Sequence, residues 1–208
     1  MTKVKICGMM RPVDIEMASG ADYLGFVVGS RSARNLEVSR ARELMSITDR
    51  KRVVVTTASD PVLLALMANE LEPEVMQLHS VLRAEALEAF SNEFSGSIWA
   101  LVQVGGGDEA ERLRSVQGMA DAVLLDTKSP RLGGQGIPHD WAVSRRIRDI
   151  ASPLPVVLAG GLGPDNVQEA ARAVRPFCVD TSSGVERHGA KDLELIIRFI
   201  ERAREVED

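Results

Sequence analysis

Two stretches near the end of the chain constrain its fold more than any other feature of the sequence. They cover residues 154–162 and 177–186, and each is a short apolar run that ends in small residues. Glycine and serine at the end of a strand let a ligand approach the backbone closely and leave amide N–H groups directed at it. A helix start follows the first stretch, and the N-terminus of a helix favours an anion such as phosphate. We interpret the two stretches as strands that share a phosphate site, although Gly160 and Gly161 would also serve a tight turn.

The rest of the chain repeats one unit, an apolar strand followed by a helix. Earlier strands are predicted at residues 4–8, 21–28, 52–57, 75–78, 97–102 and 122–125, and helices are predicted to begin near residues 14, 39, 61, 82, 108, 140, 164 and 193. The third helix is expected to bury Leu63, Leu64 and Met67. Eight units in 208 residues predict an α/β fold, a (β/α)8 TIM barrel in a single domain over residues 1–208. An open doubly wound sheet is less consistent, since its glycine-rich loop usually follows the first strand.

Composition argues against several classes of function. The net charge is −5 and no basic aromatic stripe is present, which argues against nucleic acid as a partner. No apolar run is long enough to cross a membrane, and the N-terminus lacks a signal-peptide layout. Two cysteines do not make a disulfide framework, which fits a reducing compartment. We therefore expect a cytoplasmic protein, either a monomer or a homodimer.

The residues that end the strands are the candidates for chemistry, because the active site of such a barrel lies at the C-terminal ends of its strands. Asp126 follows four apolar residues, where a solvated surface charge is hard to explain, although it could accept hydrogen bonds from the next loop. Cys7 could be a ligand contact or a small buried hydrophobe. His79 could line the pocket or support a loop. Asp180 and Arg34 complete this set of candidates, which has no metal-ligand spacing.

Two further side chains are expected inside the barrel. Alternation along the first strand places Lys5 on the same face as Cys7, one layer deeper. We favour a buried ion pair between Lys5 and Asp180 over a Schiff-base lysine. Cys178 begins the eighth strand, about four residues from the level of Cys7, so we expect it to pack in the core without forming a disulfide.

A set of motifs in order along nearly the whole chain resembles the phosphoribosylanthranilate isomerase family of tryptophan biosynthesis. The motifs are KICGMMRPVD at 5–14, GADYLGFV at 20–27, SARNLEVS at 32–39, QLH at 77–79, LLDT at 124–127, GGQG with DW at 133–141, LAGGLGPDNV at 158–167 and VDTSSGVE at 179–186. The chain departs from the family pattern at VVVTT in residues 53–57, at Ser80, and at Gln135 and His139. These departures concern the pocket walls and the lid.

The resemblance implies an Amadori rearrangement of N-(5-phosphoribosyl)anthranilate to 1-(2-carboxyphenylamino)-1-deoxyribulose 5-phosphate, a small-molecule phosphosugar reaction without cofactor or metal. It implies that Asp126 is the general acid that opens the ribose ring and that Cys7 is the general base that takes the C2 proton. It further implies that Arg34 binds the anthranilate carboxylate. The resemblance also implies that His79 and Asp180 bind the substrate. It implies that the phosphate is bound by Gly160, Gly161, Ser183 and Gly184.

Two other functions remain open at this stage. One is another phosphosugar isomerase of the same fold; the related histidine-pathway isomerase has an aspartate where this chain has Cys7. The other is a barrel that binds a phosphorylated metabolite without catalysis. A turnover assay distinguishes the last of these from an enzyme.

Overall fold

The structure is a computed structural model that describes residues 1–127 and 140–205. Within these residues, eight parallel strands form a closed barrel, because β1 pairs with both β2 and β8. The barrel strands are β1 (Lys3–Cys7), β2 (Tyr23–Val28), β3 (Lys51–Thr56), β4 (Val75–Leu78), β5 (Ser97–Val104), β6 (Ala122–Thr127), β7 (Val156–Leu158) and β8 (Cys178–Thr181). The predicted (β/α)8 barrel is confirmed.

A helix follows each strand and covers the outside of the barrel. The helices are α1 (Pro12–Met17), α2 (Val38–Met45), α3 (Pro61–Leu71), α4 (Ala84–Ser91), α5 (Glu109–Val116), α6 (Trp141–Ala151), α7 (Val167–Val174) and α8 (Leu193–Arg204). A two-residue strand, Asn35–Leu36, extends the sheet beside the end of β2. A small hairpin, Glu186–Arg187 with Ala190–Lys191, follows β8. No helix in the described part of the chain is long and apolar enough to span a bilayer.

The strands are apolar on both faces because each lies between two layers of core. All six residues of β2 are buried, as expected for a parallel strand covered on both sides. One cluster packs between the strands and the helices, and a second fills the inside of the barrel. At the N-terminal ends of the strands, the inner cluster includes the edge-to-face pair of Tyr23 and Trp99, whose ring centroids are 5.0 Å apart. The buried polar residues Lys5 and Gln77 are the register partners of Tyr23 and Trp99.

The buried face of α3 differs from the prediction. Leu64, Ala68 and Leu71 are buried, at the i, i+4 and i+7 spacing of one helix face. Leu63 is 48% exposed, so its predicted burial is wrong. The reason is geometric: successive residues are offset by about 100° around a helix, and Leu64 already occupies the inward position. Asp60 caps this helix, accepting a hydrogen bond from the backbone N–H of Val62 at 2.9 Å.

Candidate active site

Cys7 lies at the C-terminal end of β1, and the neighbouring strand leaves room for its thiol. Its partner across the sheet in β2 is Gly25. A Cβ atom on Gly25 would lie 2.8 Å from the Cys7 sulfur and 3.0 Å from its Cα, closer than side chains tolerate. Sequence reasoning did not single out Gly25. The sequence feature that could have identified it is a glycine within a strand of otherwise large apolar residues, since such a glycine often marks a close approach of neighbouring atoms.

Below Cys7 lies the buried ion pair between Lys5 and Asp180, and this prediction is confirmed. Lys5 Nζ donates to Asp180 Oδ2 at 2.7 Å, and the Lys5 side chain has no solvent exposure. The two residues are register partners in β1 and β8. Burial alone would lower the pKa of Lys5, but the negative charges of Asp180 and of an ionised Cys7 raise it above its ordinary value. A charged ammonium group therefore lies one layer beneath the thiol.

The surroundings of Cys7 favour the protonated thiol over the thiolate. Burial raises its pKa, and the carboxylate of Asp180 acts in the same direction, while the ammonium groups of Lys5 and Lys191 oppose them. Only 8% of Cys7 is exposed. A base at this position therefore depends on nearby positive charge to form its thiolate.

Asp126 lies on β6 and faces His79, which follows β4. The distance from His79 Nε2 to Asp126 Oδ2 is 3.4 Å. Burial raises the pKa of the Asp126 carboxyl, against the opposing effects of His79, the backbone N–H of Thr127 and Lys5. Gly160, at φ +84°, makes space here, because a Cβ atom on it would lie 2.8 Å from Asp126 Oδ1. A carboxyl group with a raised pKa is suited to donate a proton.

Arg34 lies in the loop after β2 and is bound to a carboxylate of the protein itself. Its Nε and Nη2 donate to the two oxygens of Glu186 at 2.9 and 2.6 Å. Lys191 Nζ donates to the same carboxylate at 2.8 Å. Lys191 also donates to the backbone oxygen of Ser182 at 2.9 Å. Sequence reasoning quoted Glu186 only as the end of a motif and missed Lys191, since the hairpin after β8 is what brings the two together.

The predicted phosphate loops after β7 and β8 pack against each other. Gly160 and Gly161 have φ values of +84° and +68°, a conformation that favours glycine. Thr181 Oγ1 donates to the Leu162 backbone oxygen at 2.6 Å, which joins β8 to the first loop. A Cβ atom on Gly184 would overlap that same Leu162 oxygen. The two glycine-rich stretches are thus one backbone cradle.

The other predicted side chains have the following positions. Cys178 is fully buried, and both cysteines are free, as predicted. Gln135 and His139 lie outside the described residues. Among the residues that the structure describes, no cluster of His, Cys, Asp or Glu side chains is arranged to hold a metal ion.

Comparisons with known proteins show which family the chain resembles along its length. A family model described as N-(5'phosphoribosyl)anthranilate (PRA) isomerase matches residues 4–202. The chain is similar to N-(5'-phosphoribosyl)anthranilate isomerase of Methanocella arvoryzae, with 42% identity over 98% of this chain and 99% of the relative. It is also similar to the crystal structure of phosphoribosyl anthranilate isomerase from Thermotoga maritima, with 34% identity, 99% and 100% coverage, and a TM-score of 0.88. A further similar structure, with 31% identity, 99% and 100% coverage and a TM-score of 0.84, is a phosphoribosyl anthranilate isomerase in complex with reduced 1-(o-carboxyphenylamino)-1-deoxyribulose 5-phosphate.

Proposed function

The chain belongs to the N-(5'-phosphoribosyl)anthranilate isomerase family of enzymes, and on this premise we propose that Cys7 and Asp126 are the base and the acid of its rearrangement. The observation that carries the proposal is their placement. A buried thiol and a partly buried carboxyl, both with raised pKa, lie at the C-terminal end of one barrel that also bears a backbone cradle and an arginine.

The substrate carries an anion at each end, and the site offers a partner for each. The backbone cradle at Gly160, Gly161, Ser183 and Gly184 suits the phosphate, because main-chain N–H groups and small residues allow its close approach. Arg34 suits the anthranilate carboxylate, since a guanidinium can form two parallel hydrogen bonds with it. We assign His79, which faces Asp126, and Asp180, which pairs with Lys5, to substrate binding.

Asp126 and Cys7 carry out the first two proton transfers of the reaction. Asp126 donates its proton to the ribose ring oxygen, the bond from that oxygen to C1 breaks, and the nitrogen lone pair forms the Schiff base. The Cys7 thiolate removes the C2 proton, and the electrons of that C–H bond form the enolamine. Protonation at C1 and loss of the C2 hydroxyl proton complete the amino ketone. Each positioned acid or base contributes about 10²–10⁴-fold to rate.

The pKa values of Cys7 and Asp126 together determine the fraction of enzyme in the active protonation state. The active form needs a thiolate at Cys7 and a protonated Asp126, and both pKa values are raised. When the pKa of the base, Cys7, is higher than that of the acid, Asp126, the fraction of enzyme in the active form does not change with pH between the two pKa values. The size of that fraction depends on the difference between the two pKa values. Raising the pKa of Asp126 enlarges this fraction, and raising that of Cys7 reduces it. Lys5 counteracts the second effect by lowering the pKa of Cys7.

A turnover assay tests the proposal. Wild-type protein is mixed with N-(5'-phosphoribosyl)anthranilate, and ¹³C NMR follows the conversion of C2 from an alcohol carbon into a ketone carbon. The same mixture without protein is the control. We expect the ketone signal to form in proportion to the amount of protein. Saturable binding of the substrate with no ketone above the control would instead indicate a binding protein without catalysis.

A further inference from the structure

The ion pair between Arg34 and Glu186 uses only one edge of the guanidinium. Nε donates to Oε1 at 2.9 Å and Nη2 donates to Oε2 at 2.6 Å, which is the side-on arrangement. An arginine carries five N–H donors in a planar fork. The outer N–H of Nη2 and the adjacent N–H of Nη1 therefore form a second, end-on edge. Arg34 can bind Glu186 and another carboxylate at the same time.

The carboxylate of Glu186 that binds Arg34 also binds a second cation, Lys191. Lys191 Nζ donates to Glu186 Oε1 at 2.8 Å, and the side chains of Glu186 and Lys191 are only 10% and 2% exposed. Burial would raise the pKa of Glu186, but its hydrogen bonds to Arg34 and Lys191 outweigh burial and lower it. Glu186 is thus ionised at neutral pH. Two cations and one carboxylate leave one net positive charge for an incoming anion.

This group of three side chains is connected to the strand that carries Cys7. Lys191 Nζ donates to the Ser182 backbone oxygen at 2.9 Å, and Ser182 Oγ donates to the Cys7 backbone oxygen at 3.0 Å. Gly8 follows Cys7, and a Cβ atom there would lie 2.5 Å from Arg34 Cδ. The position of Arg34 relative to Cys7 is therefore defined through both the hairpin and the end of β1.

We propose that Glu186, held by Lys191, is a positioning residue that orients Arg34 so that its end-on edge meets the substrate carboxylate. This inference rests on the proposed function, in which Arg34 binds that carboxylate. A different role for the same contact is a gate, in which Glu186 occupies Arg34 until the substrate displaces it. The two roles predict opposite effects when the Glu186 carboxylate is removed.

Binding measurements on two ligands test the proposal. The first ligand is reduced 1-(2-carboxyphenylamino)-1-deoxyribulose 5-phosphate, and the second is the same compound without its carboxyl group. Glu186→Gln removes the charge, and Glu186→Asp keeps the charge but shortens the side chain by one methylene. We expect both variants to weaken binding of the first ligand about tenfold and to change binding of the second by less than about twofold. Thermal melting confirms that each variant is folded, and Glu186→Asp carries the test should Glu186→Gln fail to fold.

A matched control is Glu194→Gln, since Glu194 also faces an arginine of this hairpin, Arg187 at 3.6 Å, but is 71% exposed. It should bind both ligands like the wild type. Tighter binding of the first ligand by Glu186→Gln would overturn positioning and support the gate. Wild-type binding of both ligands by Glu186→Asp would also overturn it.

Arg34→Met separates failure of this inference from failure of the proposed function. If Arg34→Met does not selectively weaken the carboxylated ligand, the assignment of Arg34 is wrong, and positioning through it fails as well. If Arg34→Met is selective but the Glu186 variants are not, only the positioning role is wrong. In the Arg34→Met background, Glu186→Gln should cause no further selective loss, because Glu186 acts through Arg34.

Discussion

At the scale of single residues, Cys7 keeps its place because the residue beside it on β2 is a glycine. Sequence reasoning located Cys7, Asp126 and the Lys5–Asp180 pair, since strand alternation and strand ends determine which side chains face the interior. It could not locate Gly25 as a neighbour of Cys7, because the register between β1 and β2 cannot be read from the sequence of either strand alone. The side chains that face the interior are therefore easier to predict than the space around them.

Replacing Gly25 with alanine should lower kcat far more than it changes KM. The new Cβ atom would lie 2.8 Å from the Cys7 sulfur, so the thiol must move, and a displacement of about 1 Å can cost on the order of 100-fold in rate. Steady-state kinetics measures both constants. Gly20→Ala is the control, because its Cβ atom would meet only Ile200 Cδ1 at 3.4 Å. Equal kcat in the two variants would contradict the account of Gly25.

At the scale of an element, β1 carries a partly exposed lysine at its start and a fully buried lysine two residues later. Lys3 pairs with Asp22 at the surface, with half of its side chain exposed, whereas Lys5 pairs with Asp180 without exposure. The order of strands and helices was predictable because the apolar runs are long and regularly spaced. The face of α3 that contacts the barrel was predicted less well, since Leu63 and Leu64 are both apolar and only packing decides between them.

The two lysines of β1 should differ sharply in their effect on stability. Lys5→Met leaves Asp180 buried without its partner and should reduce the free energy of unfolding by about 3–5 kcal/mol. Lys3→Met removes an exposed pair and should cost less than about 1 kcal/mol. Urea unfolding at pH 7 measures both. A loss for Lys5→Met no larger than that for Lys3→Met would show that the buried pair has no special role.

At the scale of the whole molecule, the site is assembled from units distant along the chain. Closure between β1 and β8 brings Ser182 against Cys7, and the loop after β2 reaches the hairpin after β8 through Arg34 and Glu186. Sequence motifs identified most of these segments. The contact of Lys191 with Glu186 could not be predicted, because the turn of the hairpin that pairs them follows from its packing on the barrel.

The phosphate cradle makes a prediction for the folded molecule as a whole. Inorganic phosphate that binds only the folded state stabilises it, by about 2.7 kcal/mol at 100 times its Kd, so phosphate should raise the Tm. Gly184→Ala should abolish this increase, since its Cβ atom would overlap the Leu162 backbone oxygen. Gly163→Ala, in the same cradle, has an ordinary contact of 3.4 Å and should retain the increase. A phosphate effect that survives in Gly184→Ala would place the anion elsewhere.

Turnover and ligand affinity, measured together in Cys7→Ala and Asp126→Asn, test the acid–base pair most directly. In the proposed mechanism both groups act mainly in the transition state, so kcat should fall by about 10²–10⁴-fold or more in each variant. Affinity for reduced 1-(2-carboxyphenylamino)-1-deoxyribulose 5-phosphate should stay within about threefold of wild type. A Cys7→Ala or Asp126→Asn protein that binds this ligand normally and turns over substrate at nearly the wild-type rate would contradict the assignment.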